Sequence, residues 1–210
     1  MFDPAIAVAP PPDEGSPKRR QVLEAAGELF LAHGYGAVSM DAVARRAAVS
    51  KATLYAHFAS KDVLFGMLMQ DCAGSNILDD VLFPESPQDL RAALEAIAQR
   101  VLRFLLRPRT LAIYRIAIAE SERFPELARI FYASGPQRAQ DRMSAWIAGL
   151  QRAGLLRPSD PHLATRHLLA LVRADLMLHA SLGLPPPPSE QDIDRAVATA
   201  VTTWLAAFAA

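Results

Sequence analysis

The sequence predicts an all-α protein in which a small N-terminal three-helix domain precedes a larger helical domain, with about nine or ten helices in total. Apolar residues recur at spacings of three and four along most of the chain. Serine residues stand just before several of these runs, and Gly or Pro closes most of them, as is typical of helix ends. No stretch alternates apolar and polar residues over the length of a strand.

The composition fits such a protein. The chain has 210 residues, of which 51% are hydrophobic, so it can bury a sizeable core. The net charge is zero, but residues 16–62 carry seven basic and four acidic side chains, a local excess of 7 − 4 = +3. A basic N-terminal region on a neutral protein favours a surface that faces DNA, although an ordinary solvated helix surface would look similar.

The ends and the single cysteine indicate where the protein resides. Cys72 is the sole cysteine, so no intrachain disulfide can form, which suits a reducing cytoplasm. Residues 1–16 are rich in Pro and Ala, lack the features of a secretory signal and predict a flexible tail. No run of about 18 apolar residues is free of charges, so we expect a cytoplasmic protein without a membrane partner.

The N-terminal helices can be placed from their caps. A periodic run over 18–33 ends at Gly34, which predicts the first helix. Ser39, Ser50 and Ser60 then each precede a short apolar run, so we expect three further helices joined by tight turns. We place a DNA-binding domain at 17–62 and a second helical domain at 63–210.

The segment 39–58, SMDAVARRAAVSKATLYAHF, has the pattern of a helix-turn-helix. Its second helix directs Leu54 and Phe58 inward. Its remaining side chains are short, aromatic or able to form hydrogen bonds, rather than the Glu, Lys and Gln of an ordinary solvated helix. Such a surface suits a helix that enters the major groove, where base edges and phosphates must be approached closely.

These elements resemble the DNA-binding domain of the TetR family of transcriptional regulators. The similarity runs over 18–70 and rests on AAGELF, GYGAVSM, AVARRAAVSKATLYAHF and SKDVL. It implies phosphate contacts from Ser39, Tyr55, His57 and Lys61, contacts to bases and phosphates from Lys51, Ala52 and Thr53, and a phosphate or base contact from Arg45. Phosphate contacts should then dominate the affinity, which should fall steeply with salt.

The remainder of the chain predicts six more helices, at 88–106, 110–123, 125–134, 136–153, 161–182 and 189–208. The stretch 114–154 resembles a common C-terminal subgroup of the TetR family. Within helix 161–182, the stretch 168–182 is apolar around nearly its whole circumference. The last helix carries a stripe of Ile193, Val197, Val201, Trp204 and Phe208. We therefore expect a homodimer through the last two helices, which would double the DNA reading on a palindromic operator.

A ligand pocket is expected between the middle helices. Side chains that would line it, or that belong to the plain core, are Phe104, Tyr114, Ile118, Phe131, Tyr132, Met143, Trp146 and Met177. Polar side chains near apolar stretches would pair with one another or orient a ligand: Arg115, Glu120, Glu122, Arg173, Asp175 and His179. We expect a small-molecule effector that favours a dimer whose DNA-binding domains are wrongly spaced for two half-sites about 34–36 Å apart.

The sequence favours a regulator of transcription, most simply a repressor, over two alternatives. A helical enzyme would have to use Glu120, Glu122, His162 and His167, but the two histidines are five residues apart and no catalytic motif accompanies them. A helical binding protein without DNA function would not need Lys51, Tyr55 and Lys61, all of which are present. No cofactor, metal site or catalytic residue is expected.

Overall fold

The structure is a computed structural model that describes residues 16–72, 83–84 and 87–210, with the side chains of 69–72 left out. Within these residues the chain forms ten α-helices and one π-helical turn. No β-strand occurs in the described part, where a single antiparallel bridge pairs Leu156 with Ala209. The all-α prediction is therefore confirmed. The predicted tail lies outside the described residues apart from Ser16.

The helices follow one another with short connections. Their bounds are α1 Pro17–Ala37, α2 Met40–Arg46, α3 Lys51–His57, α4 Lys61–Cys72, α5 Leu90–Leu105, α6 Pro108–Ala119, α7 Pro125–Tyr132, α8 Arg138–Arg152, α9 Pro161–Ser181 and α10 Glu190–Phe208. The π-helical turn Ala133–Gln137 joins α7 to α8. Each predicted helix is present, with ends that differ by a few residues, because helix ends are the least certain part of a sequence-based assignment.

The chain divides into two compact units, Met1–Leu68 and Met69–Ala210, called here the N-terminal and C-terminal units. The division falls within α4, later than the boundary predicted after Asp62.

An aromatic cluster holds the N-terminal unit together. The ring of Phe30 lies 5.4 Å from that of Tyr35 and 5.7 Å from that of Phe65, and the Tyr35 and Phe65 rings are 5.3 Å apart. All three side chains are buried. Gly34 adopts φ +78°, which interrupts α1 where the sequence predicts its end, and the backbone then resumes a helical turn. That glycine conformation carries Tyr35 into the core.

The core of the C-terminal unit lies between α5, α8, α9 and α10. Trp204 is fully enclosed in it, and its indole N–H donates a hydrogen bond to the carbonyl of Ala164 over 2.8 Å. Ile193, Val197 and Val201 are buried beside it. The apolar stripe of α10 therefore fills the core of its own subunit and does not supply the side chains of a subunit interface, whereas the homodimer through the last two helices stays a prediction.

Helices α6 and α9 meet at a second, smaller apolar cluster of Leu111, Met177 and Ala180, and α7 packs against α6. Arg115 fixes α6 to the end of α9, because its guanidinium donates to the carbonyls of Ser181 and Ala180 over 2.7 and 2.6 Å. Helix α9 is broken at Ala174, whose φ of +28° and ψ of −131° are not helical.

Candidate nucleic-acid interface

Helices α2 and α3 begin at serine caps, as the sequence predicts. The Ser39 hydroxyl oxygen accepts a hydrogen bond from the backbone N–H of Ala42 over 3.1 Å, and that of Ser50 accepts from Thr53 over 3.0 Å. Each cap satisfies one of the backbone donors that the first helical turn leaves unpaired. Both helices have seven residues, so these caps and the packing below them define where the helices begin.

The turn between α2 and α3 closes with an alanine where glycine is common. The N–H of Ala48 donates to the carbonyl of Arg45 over 3.2 Å, and that of Val49 donates to Ala44 over 3.0 Å. This pair of bonds is a Schellman motif, which places Ala48 in the left-handed region at φ +49°. The turn is therefore held in a conformation that an alanine adopts at a cost.

Helix α3 is anchored on one side and open on the other. Leu54 and the C-cap residue Phe58 are completely buried in the N-terminal unit. Lys51, Ala52 and Tyr55 are exposed, with half of the Tyr55 side chain accessible to solvent, whereas Thr53 and His57 are half-buried. The five α3 side chains that the TetR resemblance assigns to DNA therefore lie on or at the edge of the open face of this helix.

Two of the predicted contact residues already have partners. The Lys51 ammonium lies 2.6 Å from a carboxylate oxygen of Asp41 on α2, with both side chains largely exposed. The hydroxyls of Ser50 and Thr53 are 2.8 Å apart and share a hydrogen bond. Both groups would have to exchange or share these partners in order to contact DNA.

Lys61 lies at the centre of a buried junction rather than on an open surface. Its ammonium donates to the carbonyls of Tyr35 and Val38, each over 2.9 Å, and lies 4.2 Å from the centre of the Tyr35 ring. The Tyr35 hydroxyl in turn donates to Asp62. Lys61 therefore ties the start of α4 to the end of α1. Sequence reasoning missed this role because its partners lie more than twenty residues away in the chain.

The remaining predicted contacts lie on α2. Arg45 is exposed, whereas its neighbour Arg46 is paired with Glu28 at 2.5 Å. The capping bond of Ser39 uses its hydroxyl oxygen as an acceptor, which leaves the hydroxyl hydrogen able to donate to a phosphate.

The structure does not bring the eight predicted ligand-contact residues together. Met143 and Trp146 are buried in the main core between α5, α8, α9 and α10, where the Trp146 indole donates to the carbonyl of Pro84 over 2.9 Å. Phe104 is half-buried, and the guanidinium carbon of Arg107 lies 5.7 Å from the centre of its ring. Ile118 is 56% exposed, so it lies on the surface.

The other four predicted ligand contacts lie on α6, α7 and α9. Tyr114 packs against the small cluster that contains Met177, and its ring lies 6.2 Å from that of Phe131. Tyr132 follows on α7 with half of its side chain exposed. These four residues are the part of the predicted pocket whose surroundings differ from the main core.

The acidic and histidine side chains named for an enzymatic alternative are spread out. Glu120 caps the end of α6, and His162 and His167 are exposed on α9, where the ring of His167 lies 5.9 Å from that of Phe208. Within residues 16–72, 83–84 and 87–210 no three metal-ligating side chains are grouped.

Helix α3 follows a tight turn, begins at a serine cap, packs into the N-terminal unit on one face and is exposed on the other. These features define the class of protein, which is a helix-turn-helix DNA-binding protein. Comparison with known proteins then gives the family. Residues 22–68 match the profile of bacterial regulatory proteins of the tetR family, and residues 92–210 match that of the AefR-like transcriptional repressor C-terminal domain. The chain belongs to the TetR family of transcriptional regulators.

Individual relatives agree with this assignment. The solved structure of the flavonoid-responsive regulator FrrA is 38% identical, covers 91% of this chain and 97% of its own, and superposes with a TM-score of 0.79. A TetR-family regulator from Mesorhizobium loti is 28% identical, with coverages of 92% and 97% and a TM-score of 0.80.

A curated relative matches over a shorter stretch. The transcriptional activator FasR of Mycolicibacterium smegmatis is 42% identical over 84 residues, which are 38% of each chain. The match therefore spans well under half of that relative's length. Among the described helices, none combines the length and the apolar character that a membrane crossing requires.

Proposed function

We propose that this chain binds operator DNA through α2 and α3 and represses transcription until a small molecule releases it. The single observation that supports this most is the two-sided character of α3, which buries Leu54 and Phe58 and exposes Lys51, Ala52 and Tyr55. An anchored helix with a short-chained open face fits the major groove. The DNA-binding part would comprise 17–62 and the effector-binding part 63–210, in a cytoplasmic protein.

The contact residues divide by the chemistry that they offer. Tyr55, Ser39, Arg45 and His57 would donate to phosphates, and Ala52 and Thr53 at the front of α3 would meet base edges. Lys51 would contact either a phosphate or a base edge. Lys61 would add positive charge near the backbone of the DNA and would act mainly by holding α1 and α4 together, since its ammonium is already engaged.

A gel shift with the chain's own upstream DNA at several salt concentrations tests the proposal. We expect a shifted band at low salt that weakens steeply as salt rises, because phosphate contacts release counterions. Tyr55→Phe should weaken the band for all sequences by removing one phosphate donor. Tyr132→Phe is the matched control, because Tyr132 is equally exposed but lies in the other unit. Absence of any shift at low salt would favour a helical binding protein without DNA function.

We further propose a homodimer through the outer faces of α9 and α10. Helix α9 exposes Leu163, Leu178 and, at its end, Leu182, with exposed fractions of 39, 59 and 64%. Helix α10 exposes small residues such as Ala198 and Ala206 outside its buried stripe. Exposed leucines beside a helix of small side chains can pack closely against a second copy.

The oligomeric state tests this interface. Leu178→Glu should convert a dimer into a monomer in light scattering, because a carboxylate cannot be buried there without a partner. The same variant should lose operator binding, since one α3 reads too little DNA. Leu31→Glu, which changes an exposed leucine of α1, should leave the dimer intact. A wild-type chain that remains a monomer at micromolar concentration would refute this part of the proposal.

The effector would be a small aromatic molecule bound beside α6, α7 and α9. The flavonoid-responsive character of FrrA, at 38% identity, supports an aromatic compound. Tyr114, Phe131 and Met177 offer aromatic and soft apolar surface there. Adding naringenin, a flavonoid, to the gel shift should release the DNA, and Met177→Lys should abolish that release while leaving DNA binding unchanged.

A further inference from the structure

Arg173 on α9 has one guanidinium nitrogen, Nε, that is buried without a partner among the described residues. Its guanidinium is partly buried, and its Nε lies out of contact with solvent and without a hydrogen-bond partner. Burial lowers the pKa of Arg173 below its usual value, and Tyr114 and Tyr132 are the groups that act against this shift. No carboxylate in the described part of the chain is among them. A polar nitrogen buried without a hydrogen bond is costly, so folded proteins usually give it a partner.

The surroundings of Arg173 suit an aromatic ligand. Tyr114 and Tyr132 are near enough to influence its charge. Tyr114 also belongs to the small apolar cluster with Leu111 and Met177, and its ring lies 6.2 Å from that of Phe131. A positive group therefore stands beside two phenols and an apolar surface. This combination offers a charged anchor for one end of a ligand and ring contacts for the rest.

The backbone next to Arg173 is also unusual. Ala174 breaks α9 with a positive φ of +28°, a strained conformation for a residue with a Cβ. Further along the same helix, the Ser181 hydroxyl oxygen is a second buried polar atom without a partner. On α9 the strained Ala174 directly follows the residue with the unpaired Nε, an arrangement that fits a site whose partner is a ligand.

We propose that Arg173 binds a negatively charged oxygen of an aromatic ligand, a carboxylate or a phenolate, whose ring rests against Tyr114 and Phe131. The planar guanidinium presents donors in the geometry that such oxygens accept, and Nε is the donor that now lacks an acceptor. This inference rests on the proposed effector site and specifies the chemical class of the effector. The regulator therefore distinguishes an acidic aromatic compound from its neutral analogue.

Titration calorimetry on the full-length protein without DNA tests this charge selectivity. Two matched pairs serve as probes: salicylate against salicylamide for a carboxylate, and naringenin against its fully O-methylated ether for a phenolate. We expect the ionisable member of at least one pair to bind about tenfold more tightly than its neutral partner, the scale of a hydrogen bond to a charged group. The pair that shows the difference identifies the type of oxygen.

Variants assign the selectivity to Arg173. Arg173→Gln should remove the preference for the ionisable probe, whereas Arg152→Gln, at an exposed arginine of α8, should retain it. Equal affinity for both members of both pairs would overturn the proposal, as would full selectivity in Arg173→Gln. Failure of all four probes to bind at millimolar concentration would overturn it as well.

A stability measurement separates a ligand anchor from a structural arginine. Without any probe, Arg173→Met should melt at a higher temperature than the wild type, because it removes a polar nitrogen that is buried without a partner and keeps apolar volume. Arg152→Met should show no such gain. A lower melting temperature for Arg173→Met would make Arg173 a structural residue and overturn the inference. Neither the calorimetry nor the thermal unfolding uses DNA, so a failure of this inference is distinguishable from a failure of operator binding.

Discussion

The N-terminal and C-terminal units differ in where they leave polar groups unpaired and the backbone strained. In the N-terminal unit, capping serines, ion pairs and the Lys61 ammonium satisfy local backbone and side-chain groups, and one face of α3 remains exposed. In the C-terminal unit, α9 retains two buried polar atoms without partners and a strained backbone. The N-terminal unit has both features as well, in the buried Nε of Arg19 on α1 and the positive φ of Ala48, but there they lie on separate elements. On α9 the unpaired Nε of Arg173 and the strained Ala174 are neighbours, which is where we propose that a small molecule binds.

Two neighbouring residues of α3 provide the sharpest test of the N-terminal unit. Leu54→Ala should lower the free energy of unfolding by about 2–5 kcal/mol, because it leaves a cavity under a fully buried side chain. Tyr55→Ala should leave the unfolding free energy almost unchanged and weaken operator binding. Chemical denaturation and gel shift together separate the effects. Equal destabilisation by both substitutions would show that Tyr55 is part of the core.

Lys61 offers the next test, because the structure gives it a role that Tyr55 lacks. Lys61→Ala should destabilise the N-terminal unit by roughly 1–3 kcal/mol, since the carbonyls of Tyr35 and Val38 lose a charged donor. DNA binding should weaken as well. Tyr55→Phe should weaken DNA binding with no loss of stability. If Lys61→Ala unfolds like the wild type, the junction is dispensable and a direct phosphate contact becomes the better account.

The turn between α2 and α3 provides a stabilising change. Ala48→Gly should raise the free energy of unfolding by about 1 kcal/mol, because glycine adopts a positive φ without the clash of a Cβ. Ala47→Gly is the control, since Ala47 is buried and has ordinary helical angles, and it should destabilise. A loss of stability in Ala48→Gly would contradict the strained geometry of the turn. Thermal unfolding monitored by circular dichroism measures both changes in stability.

The smallest effect concerns the cap of α10. Ser189 donates to Asp192 from its hydroxyl and its backbone N–H, over 2.6 and 3.0 Å, which lowers the pKa of the Asp192 carboxyl. A carboxyl whose pKa falls on folding stabilises the fold above its unfolded value of about 3.9 and loses that effect as pH falls through the folded value. Asp192→Asn should therefore be less stable than the wild type near pH 7 and converge with it in acid. A constant difference across that range would exclude the ionised cap.

The sequence was sufficient for the helices and for the open face of α3, because caps and periodicity are local signals. Ser39 and Ser50 begin helices as predicted, and Leu54 is buried as predicted. The DNA contacts themselves remain predictions. What could not be foreseen depends on residues distant in the chain. The Lys61 ammonium finds carbonyls that the fold brings to it, and no local signal marks that arrangement.

The C-terminal unit shows more clearly what the sequence alone could not predict. The stripe on α10 is apolar whether it faces its own subunit or a second one, so periodicity alone could not choose between them. The eight aromatic and apolar residues named for a pocket separate into core, surface and cluster only once helix packing is known. The break at Ala174 occurs in a helix segment without glycine or proline, the residues that usually announce one.

The ion pair between Lys51 and Asp41 has a consequence for how the regulator would search a genome. The Lys51 ammonium lies 2.6 Å from the Asp41 carboxylate. To bind a DNA phosphate, it must give up this ion pair, so one anionic partner replaces another. We therefore expect Asp41 to shorten the time spent on random duplex. The Asp41→Asn variant should bind unrelated DNA more tightly, so the ratio of its affinity for the operator to its affinity for unrelated DNA should fall. Asp41 would therefore weaken binding to unrelated DNA and increase the preference for the operator.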